Sequence, residues 1–170
     1  MNRRADNTAS LPPTQRAGFE PVLVSIPAGW FLMGSESGQD CERPIHRVWI
    51  DSFLLAATQV TNAEYGRFLQ ASSAQAPPFW QHANFNHPQQ PVAGVCWHEA
   101  LRYCDWLSAQ TGRRFRLPTE AEWECAARGG LEQKRFPWGD EPPQALPNYS
   151  SRWQNGPEPV AQYPPSGFGL

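Results

Sequence analysis

The sequence has no long hydrophobic run, and this absence excludes several classes of protein. No stretch of about 20 apolar residues occurs, which is the length that a membrane-spanning helix requires. The first 18 residues are polar and lack the apolar centre of a secretory signal. We therefore expect a disordered leader over residues 1–18, no membrane partner and a cytoplasmic location, unless an export signal has been removed or was never included.

The sequence also lacks an excess of positive or of negative charge. The chain has 14 Lys and Arg against 16 Asp and Glu, for a formal net charge of −2. Its basic residues are scattered and mostly stand near acidic ones, whereas nucleic-acid binding requires a basic patch or stripe. Nucleic acid is therefore not an expected partner, while the oligomeric state stays open.

Cysteine is sparse, and its spacing argues against a zinc site. No two of the four cysteines are separated by only two residues, and no Cys/His cluster has the spacing of zinc ligands. These cysteines are Cys41, Cys96, Cys104 and Cys125. Free Cys commonly behaves as a small buried hydrophobe, so free or buried thiols are the favoured interpretation. A disulfide and a catalytic thiol stay open as alternatives.

Aromatic and turn-forming residues are abundant instead. Eight Trp and nine Phe offer large apolar areas for a core, while 18 Pro and 13 Gly indicate many turns and irregular loops. A length of 170 residues is sufficient for one domain with a core of its own.

Alternating apolar residues predict strands in the first third of the chain. The alternation from Val22 to Ile26, a Pro-Ala-Gly turn and the apolar residues 30–33 together predict a β-hairpin that ends at Gly34. Residues 46–60 alternate again and predict one or two strands, with a bend near residues 51–52.

Capping signals predict three helices. Thr61 with Glu64, and Thr119 with Glu122, have the spacing of a capping box, in which each side chain bonds the other residue's backbone N–H. The first helix is expected to end near residue 72. The second begins near residue 97 or 98 and stops at Gly112, and the third stops at residues 129–130.

Helical periodicity then assigns a buried face to each helix. The expected buried residues are Tyr65, Phe68 and Leu69 in the first helix, Leu101, Cys104 and Leu107 in the second, and Trp123, Ala126 and Ala127 in the third. Regular helices among strands and long loops predict an α+β fold, in which helices pack on a small, irregular antiparallel sheet.

Six segments in a fixed order resemble the formylglycine-generating enzyme (sulfatase-modifying factor) family, and they cover nearly everything after residue 20. They are IPAGWFLMGS (26–35), ERPIHRVWIDSFLLAATQVTNAEYGRFL (42–69), QPVAGVCWHEALRYCDWLS (90–108), GRRFRLPTEAEWECAARGG (112–130), FPWGDEPP (136–143), and PNYSS with PEPVAQYPPSGFGL (147–151 and 157–170). The resemblance implies a variant of the C-type lectin fold, with irregular antiparallel strands, about three helices and long loops.

The resemblance also implies an activity. Formylglycine generators oxidise a cysteine of a sulfatase peptide with O₂, using copper(I) held by two cysteines, and soft thiolates suit that ion. In the family these cysteines follow a motif close to GNVWEW, and neither feature occurs among these 170 residues. We therefore expect residues 19–170 to be the N-terminal portion of a truncated domain, with no catalytic residue and no activity of its own.

Two other functions stay open at this point. Many proteins with this lectin-like scaffold are non-catalytic accessory or ligand-binding modules, and fold alone does not give function. A similar domain occurs in ergothioneine-type sulfoxide synthases, where an added helical domain helps to supply iron-binding histidines.

The resemblance bears on two of the cysteines. Cys104 matches a position where some members have a structural cysteine paired with a C-terminal one, and we expect a free, buried thiol here. Cys96 stands where the family usually has Ser, and we interpret it as a core substitution.

A structural Ca²⁺ site is the one metal site that the resemblance places within these residues. Asn148 matches a side-chain ligand and Tyr149 a backbone-carbonyl ligand, and Asn155 is the candidate for a further ligand. Ca²⁺ takes six to eight oxygen ligands, including carboxamides and carbonyls. An Asn after Pro is also typical of a turn, so both interpretations stay open.

The remaining polar candidates favour structural roles. His46 is expected to begin a strand, and His82 and His87, in a loop rich in Pro and Asn, to face solvent rather than a metal. We interpret Asp140 and Glu141 as residues that shape their loop rather than as an acid/base pair.

Overall fold

The computed structural model describes residues 20–141 and 156–170 of the chain. The leader expected over residues 1–18 lies outside them. The elements of the described residues, in chain order, are β1 (Leu23–Ile26), β2 (Gly29–Met33), a 3₁₀ turn (Asp40–Glu42), β3 (His46–Ile50), β4 (Phe53–Ala56), α1 (Asn62–Ala71), α2 (Trp97–Thr111) and α3 (Glu120–Arg128). The predicted α+β class, with three helices and small antiparallel sheets, is confirmed.

The four strands form two nested antiparallel ribbons. β2 pairs with β3, and β1 pairs with β4 outside them. The predicted hairpin of β1 with β2 is therefore wrong, although both strands exist. Bulky cross-strand pairs such as Phe31 with Val48 stabilise these distant pairings. The turn between β1 and β2 leads from one ribbon into the other. The predicted break at residues 51–52 is confirmed.

Aromatic side chains of α1 and α2 form the main core. Tyr65, Phe68, Tyr103 and Leu107 are buried together. The Tyr65 ring stacks on Tyr103 at 5.6 Å, and Phe68 meets Tyr103 edge-on at 5.8 Å. Such aromatic pairs contribute about 0.5–1.5 kcal/mol each beyond the area that they bury. Burial raises the pKa of the Tyr103 hydroxyl, which therefore stays neutral.

The buried face of α2 differs from the predicted one. Leu107 is buried as expected, but Leu101 and Cys104 are only half-buried, and Tyr103 takes the central position. Residues four apart lie one above the other on a helix, so the pair Tyr103 and Leu107 faces α1 as a single ridge. The predicted residues Leu101, Cys104 and Leu107 are three positions apart. Because a helical turn takes about 3.6 residues, a row with that spacing winds around the helix instead of staying on one face.

The ends of the helices follow their capping signals. Thr61 and Thr119 each accept a bond from the backbone N–H three residues on, and both capping boxes close as predicted. Gly112 at φ 69° and Gly129 at φ 57° end α2 and α3 in the left-handed conformation, which glycine adopts without a steric cost.

The cap of α3 is reinforced by an ion pair. Glu122 accepts two guanidinium hydrogen bonds of 2.6 Å from Arg116, besides one of 2.8 Å from the Thr119 backbone N–H. The Arg116 guanidinium lowers the pKa of Glu122 to about 2, the Thr119 bonds contributing. Segment 116–118 is thereby held against the first turn of α3.

Trp123 is the principal error in the predicted core, because it is 63% exposed. The small side chain of Ala126 is buried, at 1% exposure, in the helix that contacts β2 and β3. Glu122 occupies the turn above Ala126, where the cap and Arg116 hold it. This arrangement leaves Trp123 at the side of the helix, in contact with solvent.

Residues 156–170 form a strap that crosses the other elements. Its start is held by hydrogen bonds from Val160 N–H to the Gln89 carbonyl (2.8 Å) and from the Gln90 side chain to the Pro157 carbonyl (2.6 Å). Its end passes Gly129 so closely that a Cβ on Gly167 would lie 2.1 Å from the Gly129 oxygen. The strap thus joins the loop before α2 to the end of α3.

Replacing Glu122 by Gln tests the capping network. We expect Glu122→Gln to lower the free energy of unfolding at pH 7 by about 1 kcal/mol, because the half-exposed Arg116 is screened by solvent. The folded pKa of Glu122 is depressed, so its stabilisation is present above the ordinary pKa of 4.5 and is lost as pH falls toward about 2.

Urea unfolding of both proteins between pH 7 and pH 2 measures this difference. Glu120→Gln, which removes an exposed carboxylate from the same turn, is the matched control and should change little. A difference between Glu122→Gln and the wild type that persists undiminished at the lowest pH would contradict the assignment.

Replacing Gly167 by Ala tests the strap. The new methyl group would overlap the Gly129 carbonyl, so we expect a loss of roughly 1–3 kcal/mol, as for other overpacked positions. Gly29→Ala is the control, because a Cβ there meets no atom within 4 Å. Equal urea midpoints for the wild type and Gly167→Ala would show that the strap is not packed as described.

Candidate functional site

The predicted Ca²⁺ ligands Asn148, Tyr149 and Asn155 lie outside the described residues. The structure therefore does not test this site. Within the described ranges, no group of three His, Cys, Asp or Glu side chains is placed to hold a metal ion.

All four cysteines are free thiols, as the favoured interpretation expected. Cys41 and Cys96 are exposed, and Cys104 and Cys125 are half-buried. Cys96 is not a core substitution, contrary to expectation. It precedes the first residue of α2, where its backbone N–H donates to Glu99 at 2.7 Å, so the position serves as a helix cap.

The four thiols are spread over three elements. Cys41 lies in the 3₁₀ turn, Cys96 and Cys104 at the start of and within α2, and Cys125 in α3. Burial raises the pKa of the Cys104 and Cys125 thiols.

The histidines also have local structural roles. His46 begins β3 as predicted, and its Nδ1 lies 2.9 Å from the Pro44 carbonyl oxygen. His82 and His87 are exposed, and the Nδ1 of each accepts a backbone N–H two residues on, at 3.3 Å and 3.2 Å. The prediction that these two face solvent is confirmed.

A polar cleft of about 810 Å³ lies between α3 and the loops 34–46 and 131–140. We call it the α3 cleft. Trp123 and Phe136 line its apolar part. Asp140 forms an ion pair with Lys134 at 2.6 Å and accepts the Arg135 backbone N–H at 3.2 Å. This geometry agrees with the loop-shaping role expected of Asp140.

One carboxylate joins α3 to the loop after β2. Glu124 accepts the Gly34 backbone N–H at 2.9 Å, and Arg128 donates both to Glu124 at 2.6 Å and to the Gly34 carbonyl at 2.9 Å. We call these three residues the α3 clasp. The spacing of four residues between Glu124 and Arg128 is the sequence signal for the ion pair, but the third partner is 90 residues away.

An apolar groove of about 520 Å³ lies between β4 and α2, and it was not predicted. Its walls include Leu54, Leu55, Tyr103, Leu107 and Phe115. Arg113, Arg114 and Arg116 also line it, and Arg113 and Arg116 are ion paired with Glu20 and Glu122. Two of its three arginines thus have carboxylate partners, and its interior offers apolar contact.

A solved structure has the same α+β fold over most of this chain. The chain superposes on PvdO from Pseudomonas aeruginosa with a TM-score of 0.78 and 29% sequence identity, over 91% of this chain and 67% of that one. The strands, the three helices and their order are thus those of an established scaffold.

The family is established by sequence. The model of the sulfatase-modifying factor enzyme 1-like domain matches residues 8–170. The formylglycine-generating enzyme of Bos taurus is 32% identical over 98% of this chain. A mouse protein named inactive C-alpha-formylglycine-generating enzyme 2 is 29% identical over 89% of it. The chain belongs to the sulfatase-modifying factor enzyme 1-like family.

The match covers this chain almost completely but its relatives only in part. The chain spans 59% of the bovine enzyme and 65% of the mouse protein. More than a third of the bovine enzyme therefore has no counterpart in these 170 residues.

Thiol titration provides a direct test of the cysteine assignments. We expect all four cysteines to react with Ellman's reagent after unfolding without a reductant. In the folded protein Cys41 and Cys96 should react first, because their thiols are exposed, whereas Cys104 and Cys125 should be protected by burial and a raised pKa. Fewer than four reactive thiols in the unfolded chain would indicate a disulfide.

Proposed function

We propose that this chain acts as part of a formylglycine-generating, sulfatase-modifying domain, which oxidises a cysteine of a sulfatase peptide with O₂. The supporting observation is the match to the bovine formylglycine-generating enzyme over 98% of this chain. A cysteine-containing, sulfatase-like peptide is accordingly the proposed partner. The comparisons favour this function over that of a sulfoxide synthase.

The described residues contribute scaffold to this function. The α3 clasp, the capping network of Glu122 and the aromatic core use their polar and apolar groups to join distant segments. The chain spans 59% of the bovine enzyme, and the resemblance places the copper-binding cysteine pair after a motif that these residues lack, so we propose that the 170 residues alone do not catalyse the reaction. In the same proposal, Asn148, Tyr149 and Asn155 bind a structural Ca²⁺ ion through oxygen ligands.

A cytoplasmic location of the protein is part of the same proposal. In the described part of the chain, no helix has both the length and the apolar character needed to cross a bilayer. The cytoplasmic location expected from the polar leader stays a prediction.

A non-catalytic role is the second candidate, and one comparison favours it. The mouse relative named inactive is 29% identical over 89% of this chain, so family membership is compatible with loss of activity. In that role the scaffold serves as an accessory or binding module.

A chimera separates the two candidates. Residues 20–170 replace the matching part of the bovine enzyme, and the product is given a sulfatase-derived cysteine peptide, copper and O₂. We expect aldehyde formation, detected by hydrazide labelling and mass spectrometry. The 170-residue chain alone should form none, and the native bovine enzyme is the positive control. A folded chimera without activity would favour the non-catalytic module, and activity of the chain alone would overturn the proposed scaffold role.

A further inference from the structure

A polar pocket of about 380 Å³ lies between α1 and the loop that follows this helix. We call it the α1 pocket. Helix α1 contributes Asn62, Gly66 and Gln70, which are four residues apart and therefore lie in one row along the helix. Trp80 and Asn86 line the pocket from the loop. The pocket thus combines amide side chains with one indole ring.

Asn62 contributes an unused hydrogen-bond acceptor to this pocket. The residue is buried, with only 6% of its surface exposed. Its side-chain NH₂ donates to the Phe85 carbonyl at 2.7 Å and to the His87 carbonyl at 3.0 Å, so both hydrogens are used and the orientation of the amide is fixed. Within the described ranges no group donates to its oxygen Oδ1. This oxygen is therefore available to a hydrogen-bond donor of a ligand in the pocket.

Trp80 forms an apolar wall of the pocket. Its half-buried ring packs on the main core, with a centroid 6.3 Å from that of Tyr65. A Cβ on Gly66 would stand 3.4 Å from the Trp80 ring. Because Gly66 has no side chain, the space in front of the ring stays open between Asn62 and Gln70.

The charges of the lining favour a ligand with neutral hydroxyl groups. The described residues that line the pocket include no Asp or Glu, so a cation finds no carboxylate partner there. Their one basic residue is Arg67, but an ionised carboxylate or phosphate cannot donate the hydrogen bond that Asn62 Oδ1 accepts. A hydroxyl group donates to Asn62 and also accepts from the exposed amides of Gln70 and Asn86.

The spacing of the amides fits a saccharide better than a nucleobase. Asn62 and Gln70 are eight residues apart, which corresponds to about 12 Å along the axis of α1. A nucleobase presents its polar groups at the edge of one flat ring and is too short to reach both residues. A saccharide carries hydroxyl groups around each ring and has a face of C–H groups that packs on an indole. Two linked sugar rings can therefore reach Asn62 and Gln70 together while one of them covers Trp80.

We propose that the α1 pocket binds a neutral oligosaccharide. One sugar ring stacks on Trp80, one hydroxyl group donates to Asn62 Oδ1, and further hydroxyl groups form hydrogen bonds with the amides of Gln70 and Asn86. The proposal rests on neither candidate function, since the pocket uses no residue that the catalytic assignment requires.

Saturation-transfer NMR tests the proposal with neutral disaccharides as probes. Maltose, lactose and chitobiose are each added to the 170-residue chain, and magnetisation passes from the protein to any sugar that binds. We expect transfer to the C–H groups of at least one of them. The same sugar should shift the Trp80 indole N–H signal of isotope-labelled protein, which is assigned by its loss in Trp80→Phe. Titration of this shift gives the dissociation constant.

Replacing Gly66 by Ala separates a blocked pocket from an unfolded protein. The added methyl group lies in the pocket beside Trp80, so we expect binding to weaken roughly tenfold. Alanine is a better helix former than glycine, so the same change should raise the urea midpoint. Gly29→Ala lies outside the pocket and is the matched control, which should bind as the wild type does.

Single amide deletions test the hydrogen bonds. Gln70→Ala and Asn86→Ala should each weaken binding roughly threefold to tenfold, as expected for the loss of one hydrogen bond between neutral groups. Gln75→Ala removes an exposed amide that does not line the pocket, so its affinity should equal that of the wild type.

Four results would overturn the proposal. One is the absence of saturation transfer to all three disaccharides, and another is the same affinity for Gly66→Ala as for the wild type. A third is tighter binding of adenosine than of every disaccharide, because the pocket would then bind a nucleobase. The fourth is a preference for glucuronate over glucose that Arg67→Gln abolishes, because the ligand would then be an anion.

Discussion

The α3 clasp is the interaction on which the arrangement of the described residues depends. α3 and the β2–β3 ribbon are each too short to be stable alone, and Ala126 and Ile50 are their buried apolar side chains. Glu124 and Arg128, with side chains 23% and 18% exposed, bind both backbone polar groups of Gly34. Partial burial strengthens charge-assisted bonds of this kind, so the clasp determines where the helix sits on the ribbon.

The core between α1 and α2 is small and aromatic, and the surface around it is correspondingly apolar. Five of the tryptophans in the described ranges are more than a third exposed, namely Trp30, Trp49, Trp97, Trp123 and Trp138. Some of them are partnered locally, as in the edge-to-face contact of Trp30 with Trp49 at 5.6 Å. The scaffold therefore combines tightly capped helices with large apolar surfaces such as the groove beside β4, which suits a unit that packs against further polypeptide.

Membership of the sulfatase-modifying factor family and the chemistry of the described residues lead to one consistent picture. The family relation covers nearly all of this chain but little more than half of the bovine enzyme. Charged groups of the α3 clasp, the capping network and the apolar groove form ion pairs, and burial raises the pKa of the half-buried thiols Cys104 and Cys125. In the function that we propose, these residues position polypeptide rather than supply reactive groups, and family membership is compatible with active and inactive relatives alike.

The sequence by itself determined the local features. Capping boxes at Thr61 and Thr119, glycine stops at Gly112 and Gly129, and the break after β3 depend on residues within one helical turn, so their spacing is sufficient to predict them. Six ordered segments also indicated the family. Only the tertiary structure decided strand pairing, the exposure of Trp123 and the groove beside β4. Each of these depends on partners far away in the chain, and pairing across such distances is set by the best simultaneous packing of several elements rather than by local pattern.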